Sequence, residues 1–263
     1  RALSGVGGIA HTARRITRGD LAVRAPVSRR GDEIDQLAGN IKHGGLYETA
    51  FGITLGELVD DIGGGTYSVP RALHAMGAGA LTVAEIDPVV TQVASRDFWF
   101  DPDTARVLHE DARTALRNRP DETYDLIIGD AFTDIAVPAH LITQEFFTLV
   151  NSRLTPQGSF LMNVIDFEDR LHTLSALVRT LQTVFPTVEV WTHQAQPDPG
   201  ARMVFVVVAG DGPTSVDSFT APAPDQMVFG ALSQTWVDQL VARADLILTD
   251  DFAPVDRLIG RTD

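Results

Sequence analysis

Carboxylates fall at several positions where they could do chemistry. Asp61 opens the run Asp61-Ile62-Gly63-Gly64-Gly65-Thr66-Tyr67, Glu85 stands in VAEIDP, Asp111 in HEDAR, and Asp130 in YDLIIGDAFTD with Asp134 four positions on. Glycines let a backbone turn sharply and approach a ligand, and a helix that follows them offers free N–H groups. Asp61, Gly63, Gly64, Gly65, Thr66 and Tyr67 are therefore candidate contacts to a nucleoside cofactor. The same loop without a ligand is a tight strand-to-helix turn. An acid roughly 20 residues beyond such a loop, as Glu85 is, can accept hydrogen bonds from both ribose hydroxyls. Asp87 either shares that task or caps the helix that starts at Pro88. Asp111, with Ala112 beside it, either accepts the exocyclic amine of adenine or caps the next helix. Asp130 follows a fully apolar run. With Asp134 it is the catalytic candidate, an acid able to orient or deprotonate an amine nucleophile.

These acids need elements that bring them to one edge. Short apolar runs at Leu58–Ile62, Leu81–Ile86, Ala105–His109, Tyr124–Gly129, Phe160–Ile165, Val188–Trp191 and Met203–Ala209 read as strands. Helical patterns lie between them at Val69–Met76, Pro88–Arg96, Ala112–Arg117, Gln144–Leu154 and Arg170–Val184. The alternation predicts an α/β fold of the Rossmann-like class I methyltransferase type, a mostly parallel sheet with helices on both faces. In such a sheet, ligands bind beyond the carboxyl ends of the strands. The Gly-rich loop and two of the acids fall after the first three strands in turn. A loop at 220–226 and a helix over Ser233–Arg243 complete the expected elements.

The first 45 residues differ in character. They hold eight of the 21 Lys and Arg residues, and glycines 5, 7, 8, 44 and 45 bracket them. The sequence thus divides into a basic extension, 1–45, and a catalytic domain, 46–263. ARRITRGDLAVRAPV followed by RRGDEIDQLAGNI places apolar residues at helical spacing on either side of a connector. This resembles a HAMP signalling module, with Gly19-Asp20-Leu21 at the end of the first helix and Asp32-Glu33 as the connector acids. The resemblance implies a dimer and a preceding membrane helix; a basic N-terminal extension accounts for the same residues.

A net charge of −14 argues against nucleic acid as a partner and is compatible with a cationic substrate. Cysteine is absent, so thiol catalysis, disulfides and cysteine metal sites are excluded. The seven histidines are scattered without ligand spacing, and no metal is expected. Ser68 and His140 sit in no nucleophile elbow, which leaves a hydrolase triad without support. No stretch approaches the roughly 18 apolar residues needed to span a bilayer, and no signal-peptide core is present. The expected location is the cytoplasm, in association with a membrane if a membrane domain precedes Arg1.

DIGGGTYSVPRAL, VAEIDPVV, YDLIIGDAF, VPAHLITQEFF and LTDDFAPVDRL, taken in order, resemble the spermidine synthases (polyamine aminopropyltransferases), in particular divergent bacterial homologues fused to membrane domains. The resemblance spans Leu58 to Ile259. It implies a homodimeric enzyme of polyamine biosynthesis in which Glu85 binds ribose, Asp111 contacts adenine and Asp130 sits beside the attacking amine. Decarboxylated S-adenosylmethionine would give its aminopropyl group to a small amine such as putrescine and release methylthioadenosine. The sequence departs from that pattern at Thr66, where the family carries an aspartate that holds the aminopropyl amine. It departs again in the spacing of Asp130 and Asp134, one residue longer than the family's D-x-x-D. The family's N-terminal hairpin is matched only by Tyr47 and Glu48. Thr66 therefore brings S-adenosylmethionine itself into consideration, through a methyltransferase or a methylthioadenosine-releasing lyase. A nucleoside sensor without catalysis is a third reading. Tyr67, Trp99 and Phe132 either stack on the ligand or pack in the core.

Overall fold

The computed structural model describes residues 67–131, 137–193, 197–220 and 228–259. The expected first strand, the Gly-rich loop as far as Thr66, the boundary near residue 45, Phe132 and Asp134 lie outside the described residues.

Helix α1 (Ser68–Ala75) leads to β1 (Thr82–Ala84), α2 (Pro88–Asp97), β2 (Arg106–Leu108), α3 (Ala112–Arg117) and β3 (Tyr124–Gly129). Then come α4 (Gln144–Asn151), β4 (Leu154–Phe167), α5 (His172–Leu181), β5 (Thr187–His193) and β6 (Arg202–Gly210). The chain closes with β7 (Ser218–Thr220), β8 (Val228–Ala231), α6 (Gln234–Val241) and α7 (Val255–Ile259). β1 and β2 pair in parallel, Ala84 against Leu108. The other strands form a sheet in the order β3-β4-β6-β5-β8-β7. Its β3–β4 pair is parallel, and β6 enters between β4 and β5 antiparallel to both. The parallel pairs, β1–β2 and β3–β4, thus come before β5 in the chain. The antiparallel part, including β7 and β8, follows once helical crossovers give way to direct returns.

Alternation along the strands decides the layers. Phe160, Met162 and Val164 of β4 join Phe147 and Val150 of α4 and Leu174, Leu177 and Leu181 of α5 in the main core. Val190 of β5, Val207 of β6, and Val237 and Leu240 of α6 complete that face. On the opposite face Trp191, Val206 and Phe229 form a second cluster. α2 packs on the β1–β2 pair through Val90 and Ala94 against Val83 and Val107. α5 ends short of both boundaries expected for it: Leu171 takes a left-handed φ of 57° before its first turn, and Gln182 caps its end. Its N-terminus has no cap from Leu171. Asp166, buried at the end of β4, supplies one by accepting the Leu174 N–H at 2.9 Å. α4 stops at Asn151, where Leu154 already begins β4.

Candidate functional site

The site builds outward from the strand tips. The Glu85 N–H donates to the Leu108 carbonyl at 3.0 Å, which continues the β1–β2 ladder by one step and fixes Glu85 at the end of the pair. Its side chain is 5% exposed, and Oε1 accepts the Asp87 N–H at 2.9 Å. Among the described residues the other carboxylate oxygen has no hydrogen-bond partner. Burial pushes the Glu85 carboxyl above the usual glutamate range and outweighs that N–H. A buried, half-satisfied acid wants two donors, and a pair of ribose hydroxyls would supply them.

Asp87 resolves toward the capping alternative: its side chain accepts the Val89 N–H at 2.8 Å, and Pro88 occupies the first turn of α2. Between the two acids Ile86 is 70% exposed, an apolar side chain at the strand tip.

Asp111 lies three residues beyond β2, whose Leu108 end pairs with the Ala84 end of β1. It caps α3, with Oδ1 accepting the Thr114 N–H at 2.9 Å. Oδ2 lies 2.6 Å from His140 Nε2. Burial works against the charge on Asp111, but the bonds from His140 and Thr114 outweigh it and hold the carboxyl below the usual aspartate range. Ala112 opens α3 and leans on the main core. Arg113, next along, makes a bidentate pair with Asp250 at 2.7 and 2.6 Å and donates to the His140 carbonyl at 3.2 Å. The Thr143 hydroxyl donates to Asp250 at 2.7 Å, and the Asp250 N–H donates to Glu145 at 3.0 Å. The C-terminal DDFAP motif therefore docks against the Asp111 end of the site through Asp250.

Asp130 follows β3 half-buried, and its Oδ1 accepts the Asn163 amide at 3.1 Å. The Asn163 Oδ1 atom is buried without a partner among the described residues. A Cβ at Gly129 before it would lie 3.3 Å from the Phe160 ring, a tight contact.

Tyr67 packs in the core: its ring is 1% exposed, stacks on Phe100 at 4.0 Å between centroids, and bonds Thr91 through its hydroxyl at 2.5 Å. Trp99, at a left-handed φ of 58°, is 81% exposed. His140, Asn163 and Arg113 escaped the sequence reading because their roles rest on contacts between distant segments. Asp250 was legible only as part of a motif. Among the described residues no three His, Asp or Glu side chains gather as a metal site.

Compared with known proteins, residues 1–43 match the family model described as HAMP domain. The chain is 28% identical to the polyamine aminopropyltransferase of Vibrio vulnificus over 76% of its length and 69% of that protein's. A probable spermidine synthase from Corynebacterium glutamicum superposes with a TM-score of 0.58 at 20% identity, over 74% of each chain. The chain is thus similar in sequence to polyamine aminopropyltransferases and in fold to a spermidine synthase. It is also 33% identical, over 62% of its length, to the N-terminal histidine N-methyltransferase of Emericella nidulans, of which it spans only 30%. The methyltransferase relationship shows that the resemblance is not confined to aminopropyl chemistry.

Proposed function

We propose that residues 46–263 form a transferase domain that binds decarboxylated S-adenosylmethionine and passes its aminopropyl group to a small amine such as putrescine. The observation that carries this reading is the pair of acids at adjacent parallel strand tips. Glu85 is buried and half-satisfied for the ribose, and Asp111 is ionised for the adenine amine. Asp130, braced by Asn163, takes the role of amine anchor and proton acceptor. The amine lone pair attacks the propyl carbon bound to the sulfonium; the C–S bond breaks, its electron pair returns to sulfur, and methylthioadenosine leaves. The ammonium that results gives a proton to Asp130 or to water. A sulfonium is already an activated leaving group, so alignment, water exclusion and one base suffice. Cytoplasmic placement, with the HAMP-like segment linking two chains and a membrane domain upstream, fits this reading.

Two observations favour a second reading, in which intact S-adenosylmethionine is the substrate of a methyltransferase or a lyase. Thr66 replaces the aspartate that would hold the aminopropyl amine, and one relative is a methyltransferase. The test is to incubate the full chain with either form of the sulfonium, with and without putrescine, and to identify products by mass spectrometry. Methylthioadenosine that requires both the decarboxylated form and the amine supports the aminopropyltransferase. Methylthioadenosine from S-adenosylmethionine alone indicates a lyase, and adenosylhomocysteine indicates a methyltransferase. Asp130→Asn is expected to lower turnover at least about 100-fold, the scale of a lost general base, with nucleoside binding nearly unchanged. Unchanged turnover would remove Asp130 from the mechanism.

A further inference from the structure

The geometry points to His140 as the positioning residue that sets which purine the site accepts, with the C-terminal Asp250 holding it in place. This rests on the nucleoside-binding reading above. An ionised carboxylate offers roughly four acceptor positions, and Asp111 has committed one on each oxygen. Thr114 N–H takes one on Oδ1 and His140 Nε2 takes one on Oδ2. Bonds on both oxygens, from two different elements, stop the carboxylate from rotating about its last torsion. An acceptor position on Oδ2 remains for an incoming donor.

His140 does not stand there by its own backbone preference alone. It sits in a single 3-10 turn, Ala139–Leu141, and its carbonyl is tied by Arg113. Arg113 is in turn oriented by the fork-to-fork pair with Asp250, whose oxygen and N–H are held by Thr143 and Glu145. A bidentate guanidinium–carboxylate pair fixes direction as well as distance. The His140 side chain is 51% exposed, so its place on Asp111 depends on this anchorage and not on burial.

The consequence is selection between 6-amino and 6-oxo purines. A 6-amino group donates to the pinned oxygen. A 6-oxo group would set carbonyl oxygen against carboxylate, a repulsion with no hydrogen bond to offset it. With His140 removed, the carboxylate turns freely on Thr114 alone, and the advantage of the amino purine shrinks.

Calorimetric titration of the full chain with methylthioadenosine and with methylthioinosine tests this. His140→Ala is expected to weaken methylthioadenosine about tenfold while leaving methylthioinosine within about twofold, the scale of one oriented hydrogen bond to a charged group. His140→Gln, whose amide N–H can reach the same oxygen, should recover most of the ratio. Asp250→Asn should move it in the same direction as His140→Ala but less far. If the melting temperature of His140→Ala falls, His140→Asn, too short to reach Asp111, carries the same expectation. An unchanged ratio in a folded variant, whether both ligands weaken together or neither does, overturns the inference and leaves nucleoside binding intact. Tighter methylthioadenosine binding by His140→Ala overturns it too. Failure of the wild-type chain to bind either nucleoside overturns the nucleoside reading itself and the inference with it.

Discussion

Glu85 and Asp111 stand at neighbouring strand tips with their proton affinities pushed in opposite directions, and the two signs give separable pH signatures. Burial raises Glu85, so the folded chain holds that proton more tightly than the unfolded one. Its contribution to stability is complete below the unfolded value of about 4.3 and is lost as pH rises through the folded value. The proposed ribose binding would have the other sign, because the hydroxyls would donate to the ionised form. Glu85→Gln should therefore remove one falling step from the stability–pH curve, melt no lower than wild type near neutral pH, and weaken methylthioadenosine at least about tenfold. Thermal melts from about pH 4 to 8, paired with calorimetry, check both halves. For Asp111 burial is outweighed by its bonds to His140 and Thr114, and its contribution is present above the unfolded aspartate value and lost as pH falls through the lowered one. At this scale the sequence was informative where spacing alone carries meaning: an acid one strand after a Gly-rich loop, and an acid closing an apolar run. It was silent where a side chain's purpose comes from a partner 29 residues away, as for His140 on Asp111.

The elements were legible in proportion to how local their causes are. α2 and α3 begin where Asp87 and Asp111 announce them, because the cap is encoded within three residues of the helix it starts. α5 has its apolar stripe in the sequence but not its boundary. Its first turn is fixed by Asp166, reached across the turn from β4, and by the left-handed backbone of Leu171. Burial raises the Asp166 carboxyl, while the N–H groups of Leu174, Phe167 and Thr173 pull it back. Asp166→Ala would strand those donors in a dry interior, and we expect a loss of roughly 2–4 kcal/mol in chemical denaturation. Asp166→Asn, which keeps one acceptor oxygen, should lose less. β7 and β8 were missed for a different reason: no apolar run marks β7, and Gly230 interrupts the one in β8.

The whole molecule carries −14 charges, and the first 45 residues are its basic part, so the remainder is more acidic than the chain as a whole. A cationic amine should be drawn to such a surface, and the attraction should be screened by salt. Raising ionic strength from about 50 to 300 mM is expected to raise KM for the amine on the order of threefold with kcat little changed. A KM independent of salt in steady-state assays would count against an amine acceptor. Fold class was readable because βα alternation is a property of the whole chain, whereas the antiparallel half of the sheet depends on pairings the alternation does not specify. The pairing of Arg113 with Asp250 spans 137 positions, which gives it a meaning in time as well as in space. As the chain leaves the ribosome, β1, β2 and α3 are all made long before their last anchor exists. β1 and β2 can pair early, yet Arg113 waits for Asp250 before its guanidinium is oriented. During synthesis the Arg113 that holds the His140 carbonyl is thus left without its carboxylate partner until Asp250 has emerged.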